Sequence, residues 1–204
     1  MGDMLKFANE QEYNLYNYAT EFLFLSEFLI WLFTSSRWAR KSKKHPPFDL
    51  TMWILIAGWC GSILISYYFR SKDVSEEIRN KLMPHCFYYI GIVFLIGGTL
   101  FRDLSVWTLK RAFTLNVQTD KEQQLIQIGP YRIIRNPAYT GSIISLLGIS
   151  FCLRSVYSPL IVLALCLLCY GIRIRKEETE LANHFGKEFQ EYAERTWRLF
   201  PLIY

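Results

Sequence analysis

The 204-residue sequence predicts an all-α integral membrane protein of about five transmembrane helices, with a cytoplasmic loop and C-terminal helices carrying the chemistry. Three observations support this. Hydrophobic residues make up 51% of the chain and are clustered rather than spread evenly. Lys and Arg are sorted into alternate connecting segments, and Pro and Gly punctuate the ends of the apolar runs.

The first expected span, residues 14–34, reads "NLYNYATEFLFLSEFLIWLFT"; Glu21 and Glu27 interrupt it, so an interfacial helix is its alternative. The second, residues 50–69, contains no Lys, Arg, Asp or Glu and is long enough to cross roughly 30 Å of hydrocarbon. A helix of a water-soluble protein rarely stays apolar all round for that length. The third span follows Pro84 and runs through residues 84–101; its "LIGGTLF" suits close helix packing through small residues. The fourth and fifth, 138–153 and 157–172, form a hairpin turned near "LRSVYSP".

Between the third and fourth spans lies a long connection, 102–137. Its "FTLNV" and "QQLIQIG" are too apolar for disorder and suggest short strands or extended segments. Gly129-Pro130 marks a turn, and Pro137 suits the first turn of the fourth span. Nothing breaks the fifth helix between Pro159 and about Phe185, so it should continue straight out of the membrane. Gly186 fits its C-terminal cap, and "KEFQEYAERTW" can start a further helix. Leu181, Phe185, Phe189 and Tyr192 then form a packing stripe.

The formal charge of +5 does not indicate nucleic acid, because it follows the loops. Alternate segments hold 17 Lys and Arg against 6, which puts the N-terminus outside and residues 35–49, 102–137 and the tail in the cytoplasm. Opposite termini also require an odd number of spans. The first apolar stretch lacks the basic leader and small-residue cleavage site of a signal peptide, and "MGDMLK" lacks the Ser or Thr of a myristoylation signal. Cys60, Cys86, Cys152, Cys166 and Cys169 lie in or beside apolar spans, and the apolar "LCLLCY" reads as core rather than as a metal site. His45, His85 and His184 are isolated from one another, with no metal-site spacing. Neither GxGxxG nor a P-loop is present.

Arg173 and Glu177 are four residues apart and share one face of the emerging helix. They read either as an ion pair at the membrane boundary or as a site in which Arg173 holds an anionic substrate group and Glu177 a polar or cationic cofactor. "GPYRIIRNPAYTGS", followed by "RIRKEETELANHFGKEFQEYAERTWRLFP", resembles the isoprenylcysteine carboxyl methyltransferase family, which is related to the phospholipid N-methyltransferases. The resemblance covers roughly residues 100–204. It implies a single membrane domain, 1–204, in which three N-terminal spans (1–101) precede a methyltransferase core (102–204).

That resemblance implies S-adenosylmethionine as cofactor, held by Tyr131 of "GPY", Asn136 and Tyr139 of "RNPAY", and Glu177 of "KEE". Gln118 and the stretch Gln123, Gln124, Leu125 and Ile126 would line the same cavity, and Arg173 would stand beside the substrate carboxylate. The prenylcysteine enzymes usually carry Arg-His-Pro where this chain has Arg135-Asn136-Pro137, and Asn cannot carry positive charge. The expected substrate is a prenylated cysteine carboxylate or a similar amphiphile, in contact with membrane lipid and without nucleic acid. The alternatives are a phospholipid N-methyltransferase, an NADPH-dependent sterol or steroid reductase-like protein, and a non-enzymatic membrane scaffold. The membrane would be a bacterial inner membrane or the endoplasmic reticulum.

Overall fold

The computed structural model describes residues 7–41, 50–71, 75–109 and 125–202. The described elements are helical: α1 (Glu10–Lys41), α2 (Leu50–Tyr68), α3 (Glu76–Arg79), α4 (Cys86–Leu109), a 3-10 turn at Gly129–Arg132, α5 (Pro137–Cys152), α6 (Ser158–Phe185) and α7 (Lys187–Arg195). Five long helices thus occupy the places of the five expected spans. Three of them, α2, α4 and α6, are each long and apolar enough to cross a membrane. α5 is apolar but has 16 residues, or about 24 Å of helix. The chain is an integral membrane protein.

Each helix buries the face its sequence provides. In α1, Glu12, Tyr16, Ala19, Leu23 and Ser26 are buried and alternate at four and three residues, while Phe24, Leu25, Phe28, Trp31 and Phe33 point outward. Glu27, which interrupted the expected span, is paired across to Arg102 on α4, with Nη2 2.9 Å from Oε2, and Ser26 donates to Asp103 at 2.5 Å. Polar groups inside an apolar bundle thus find partners on neighbouring helices.

α4 and α5 approach until backbones touch. A Cβ on Gly98 would lie 2.5 Å from Ser145 N, and one on Gly91 would lie 2.5 Å from Cys152 N. The reverse holds for Gly141 against Arg102 N at 2.7 Å and for Gly148 against Leu95 N at 2.4 Å. Two glycines seven residues apart on each helix therefore stitch the pair, as the small residues of "LIGGTLF" suggested. Ser66 and Ser150 share a 2.7 Å hydrogen bond between α2 and α5, and Ser142 and Tyr170 one of 2.6 Å between α5 and α6. Cys152, Cys166 and Cys169 are buried in this core, in keeping with packing rather than reactivity.

The helix ends sort into two groups. At one end, the start of α1, the end of α2, α3, the start of α4 and the α5–α6 turn come together. There Met83 N donates to Arg154 O at 2.8 Å, and His85 Nε2 lies 2.8 Å from Glu12 Oε1. At the other end are the start of α2, the end of α4, the Gly129–Arg132 turn, the start of α5, the end of α6 and α7.

For the long connection the sequence allowed short strands or extended segments. Of "QQLIQIG", the described residues after Gln124 form no strand, and Ile128 is extended at φ −112° and ψ 162°, in line with the second of these. "FTLNV" lies outside the described residues. The hairpin turn and the exit of α6 through Phe185 are as the sequence implied. Gly186, at φ 55°, ends α6 in a backbone conformation that favours glycine and gives way to α7.

Candidate functional site

Where α6 emerges from its apolar stretch, its face turns polar: Arg173, then Glu177 and Glu178. α5 begins opposite, at Pro137, because Asn136-Pro137 sets an extended entry and then a helix start. These two elements place Tyr139 against Glu177. The Tyr139 hydroxyl donates to Glu177 Oε1 at 2.9 Å and lies 3.0 Å from Oε2. Arg173 Nε donates to the same Oε1 at 2.7 Å, and Arg173 Nη1 donates to Thr51 Oγ1 in the first turn of α2 at 2.8 Å. Tyr139 packs edge-on to Tyr170 with ring centroids 5.3 Å apart.

The pair is neither sealed nor loose. Arg173 keeps 18% of its side-chain surface accessible and Glu177 keeps 30%. An exposed i,i+4 pair contributes only about 0.3–0.5 kcal/mol and holds no fixed geometry. Here a tyrosine and a threonine from two other helices fix both groups, while part of the carboxylate remains open to a further polar ligand. The group is held from three helices, α2, α5 and α6.

The neighbouring Glu178 faces a second network. Its carboxylate accepts from Arg135 Nε at 3.2 Å, Asn136 Nδ2 at 3.1 Å and Arg198 Nε at 2.9 Å. Asn136 Nδ2 also donates to Arg198 O at 3.2 Å, and Arg135 Nη1 to Ala193 O at 2.6 Å and to Thr196 O. The tail after α7 is laced to the segment before α5. Trp197 N donates to Ile133 O at 2.9 Å, Arg135 N to Trp197 O at 2.7 Å, and Thr140 Oγ1 to Leu199 O at 2.7 Å. Tyr192 Oη donates to Tyr131 O at 2.8 Å. The residues 131–140 and 192–199 thereby form one roof.

Burial raises the phenol pKa of Tyr131 well above its ordinary value; Tyr192 and Glu177 add to the rise, and Arg102 opposes it. Burial likewise pushes Tyr192 up to about 12 against the Arg135 charge, so its phenol stays protonated at neutral pH and donates to the Tyr131 carbonyl.

The structure therefore brings Tyr139, Arg173 and Glu177 into one hydrogen-bonded group and keeps the buried Tyr131 within electrostatic reach of it. Asn136 is directed to Glu178 and the tail. Leu125 and Ile126 are half-buried and precede the Gly129–Arg132 turn. Gln118, Gln123 and Gln124 lie outside the described residues. Sequence reasoning missed Thr51, Glu178 and Arg198. The second carboxylate of "KEE" and the arginine of "WRLFP" were legible as unassigned charges, whereas nothing marked Thr51, 122 residues before Arg173.

A family model described as phospholipid methyltransferase matches residues 86–188, from α4 into α7. Among curated relatives, a probable protein-S-isoprenylcysteine O-methyltransferase of Oryza sativa subsp. indica is 32% identical over 117 residues, covering 56% of this chain and 61% of that one. Protein-S-isoprenylcysteine O-methyltransferase B of Arabidopsis thaliana is 29% identical over 115 residues, covering 55% and 58%. The chain thus spans about three-fifths of the length of these relatives. A solved structure of a eukaryotic intramembrane Ras methyltransferase, isoprenylcysteine carboxyl methyltransferase, aligns over 98% of this chain and 70% of its own with a TM-score of 0.63 and 19% identity. At that identity the likeness concerns the fold, which is shared along almost the whole chain.

Proposed function

We propose, from the premise that this chain belongs to the phospholipid methyltransferase family, that it is a membrane methyltransferase using S-adenosylmethionine. Its acceptor is the carboxylate of a prenylated cysteine or a similar amphiphile. The observation carrying this reading is the half-buried Tyr139–Glu177–Arg173 group, set where α6 leaves its apolar stretch and beneath the roof of residues 131–140.

The residues fit the cofactor. Glu177 is an anchored carboxylate with accessible surface left, suited to an ammonium or hydroxyl group, and the protonated Tyr131 and Tyr139 add polar edges to apolar rings. Leu125 and Ile126 precede the Gly129–Arg132 turn that contains Tyr131, and together with Gln118, Gln123 and Gln124, which lie outside the described residues, they are assigned to the same proposed cradle. When bound, S-adenosylmethionine supplies an electrophilic methyl on a sulfonium. Arg173 holds the acceptor carboxylate by charge-assisted hydrogen bonds, with Thr51 and Glu177 fixing the direction of the guanidinium. Held this way, an acceptor oxygen would be presented to that methyl. Orientation then supplies much of the acceleration.

The acceptor follows from proton accounting. A carboxylate is already ionised near neutrality and needs no base, whereas an ammonium must first lose a proton. Asn136 cannot take one, and its amide is committed to Glu178 and the Arg198 carbonyl. This favours the carboxylate over a phospholipid amine. By the positive-inside tendency the site faces the cytoplasm of a bacterial inner membrane or of the endoplasmic reticulum.

The test is incubation of the purified protein with labelled S-adenosylmethionine and, separately, prenylcysteine, phosphatidylethanolamine and small thiols. Label is expected in a base-labile ester of prenylcysteine. Label in phosphatidylethanolamine instead would move the acceptor to an amine, and no label in any arm, with no cofactor binding, would end the methyltransferase reading.

A further inference from the structure

At the end of the bundle opposite to the Arg173–Glu177 group, three arginines converge from three segments: Arg70 just past α2, Arg79 at the end of α3, and Arg154 in the α5–α6 turn. Their hydrogen bonds go mainly to backbone oxygens. Arg70 Nη1 donates to Arg79 O at 3.0 Å, and Arg154 donates to Met83 O from Nε at 3.0 Å and Nη2 at 2.8 Å. Arg154 itself sits at φ 58°, a left-handed conformation unusual for a side chain of its size, and is held there by the reciprocal bond from Met83 N.

Carbonyl oxygens satisfy donors but do not cancel charge. Among the described residues, the one carboxylate paired with any of the three is Glu76, which meets Arg79 at 3.2 Å and is 84% exposed. Lys81 is engaged by Glu77 at 3.6 Å. Burial lowers the pKa of Arg70, and the nearby Arg154 and Arg79 charges lower it further, which reports their closeness. The Nε of Arg70 is buried and meets no hydrogen-bond partner. A buried donor left unmet beside two like charges is unfavourable; an anion reaching the cluster from the accessible Arg79 side offsets the charge repulsion.

The depth is informative too. α2 ends at Tyr68, Phe69 stacks on Tyr157 with centroids 5.9 Å apart, and Tyr68 is exposed. Aromatic rings beside a charged cluster mark the level where hydrocarbon gives way to headgroups. We propose that Arg70, Arg79 and Arg154 form a binding site for a phosphate-ester anion at this end of the bundle, separate from the methyl-transfer site. Its ligand is the phosphate of an anionic phospholipid headgroup or a phosphate free in solution.

Native mass spectrometry of the full chain in detergent, titrated with phosphatidylglycerol or with phosphatidylcholine, reads the lipid arm; thermal unfolding in millimolar inorganic phosphate reads the free-anion arm. The wild type should retain one phosphatidylglycerol in preference to phosphatidylcholine, whose phosphate carries its own counter-cation. Arg70→Gln should weaken that retention about tenfold, as expected for one charge-assisted hydrogen bond. Should Arg70→Gln not fold, Arg79→Gln decides, because it removes an accessible guanidinium but keeps the carbonyl that Arg70 uses. Stabilisation by inorganic phosphate that these variants lose, without lipid preference, assigns the site to free phosphate. Equal behaviour of wild type and the folding variant in both arms overturns the proposal.

Discussion

Glu177 receives three contacts from two side chains, so its charge and its shape can be separated. Glu177→Gln keeps the volume and an oxygen acceptor for Tyr139 but removes the charge. Loss of one charge-assisted bond to the cofactor corresponds to about 1.5–3 kcal/mol, or roughly 10–150-fold weaker S-adenosylmethionine affinity; calorimetry in detergent measures it. An unchanged affinity with an unchanged unfolding temperature removes Glu177 from the cofactor. For Arg173→Ala the expectation is the converse: cofactor affinity within about threefold and turnover lower by about a hundredfold or more, since the acceptor loses its anchor. Normal turnover defeats that role. Arg173 and Glu177 were legible because helical spacing and the family resemblance converged on them, and Tyr139 through the resemblance alone. Asn136 was named for the cofactor, yet its amide faces Glu178; one residue of difference on a helix rotates a side chain by about 100°, and the sequence does not say which of two adjacent carboxylates a loop residue will meet.

The α4–α5 pair offers a direct comparison of two adjacent glycines. Gly98→Ala would drive a methyl to 2.5 Å from Ser145 N, whereas around Gly97 nothing lies within 4 Å. Gly98→Ala should therefore destabilise the bundle by about 1–3 kcal/mol, as overpacking does, and Gly97→Ala should be neutral within about 1 kcal/mol. Thermal unfolding in detergent tests the contrast, and similar shifts for both would mean the helices can move apart freely. In the roof, Glu178 is the hub for Arg135, Asn136 and Arg198. Removing one member of a mostly buried charge cluster costs about 3 kcal/mol, so Glu178→Ala should expose the segment after Gly186 to limited proteolysis. Protease resistance equal to wild type would show that the backbone bonds of Trp197 suffice. Sequence patterning located every long helix to within a few residues, apart from the ends of α1 and α4, because apolar runs and Pro-Gly punctuation report on local physics. The lacing of residues 192–199 to 131–140 was not legible, since it joins segments about 60 residues apart through hydrogen bonds that leave no periodic trace.

Taken as a whole, the molecule has two polar ends separated by its apolar helices, one with the Arg173–Glu177 group and one with the arginine cluster. Single cysteines in a background lacking the native five test which end faces which compartment. Lys187→Cys in α7 should be shielded from an impermeant maleimide in intact cells, and Glu76→Cys, on the largely exposed α3 side chain, should be labelled. The opposite pattern inverts the charge-based topology. The same longitudinal view bears on Glu27, whose partner Arg102 comes 75 residues later in the chain. Left unpaired in hydrocarbon, a carboxylate on α1 would be unfavourable by roughly 3 kcal/mol on insertion scales. Pairing with the α4 guanidinium offsets that cost, so Arg102→Ala should loosen α1 from the bundle, read as a lower unfolding temperature in detergent. The carboxylate that weakens α1 as an isolated membrane segment is thus the group that ties it to α4.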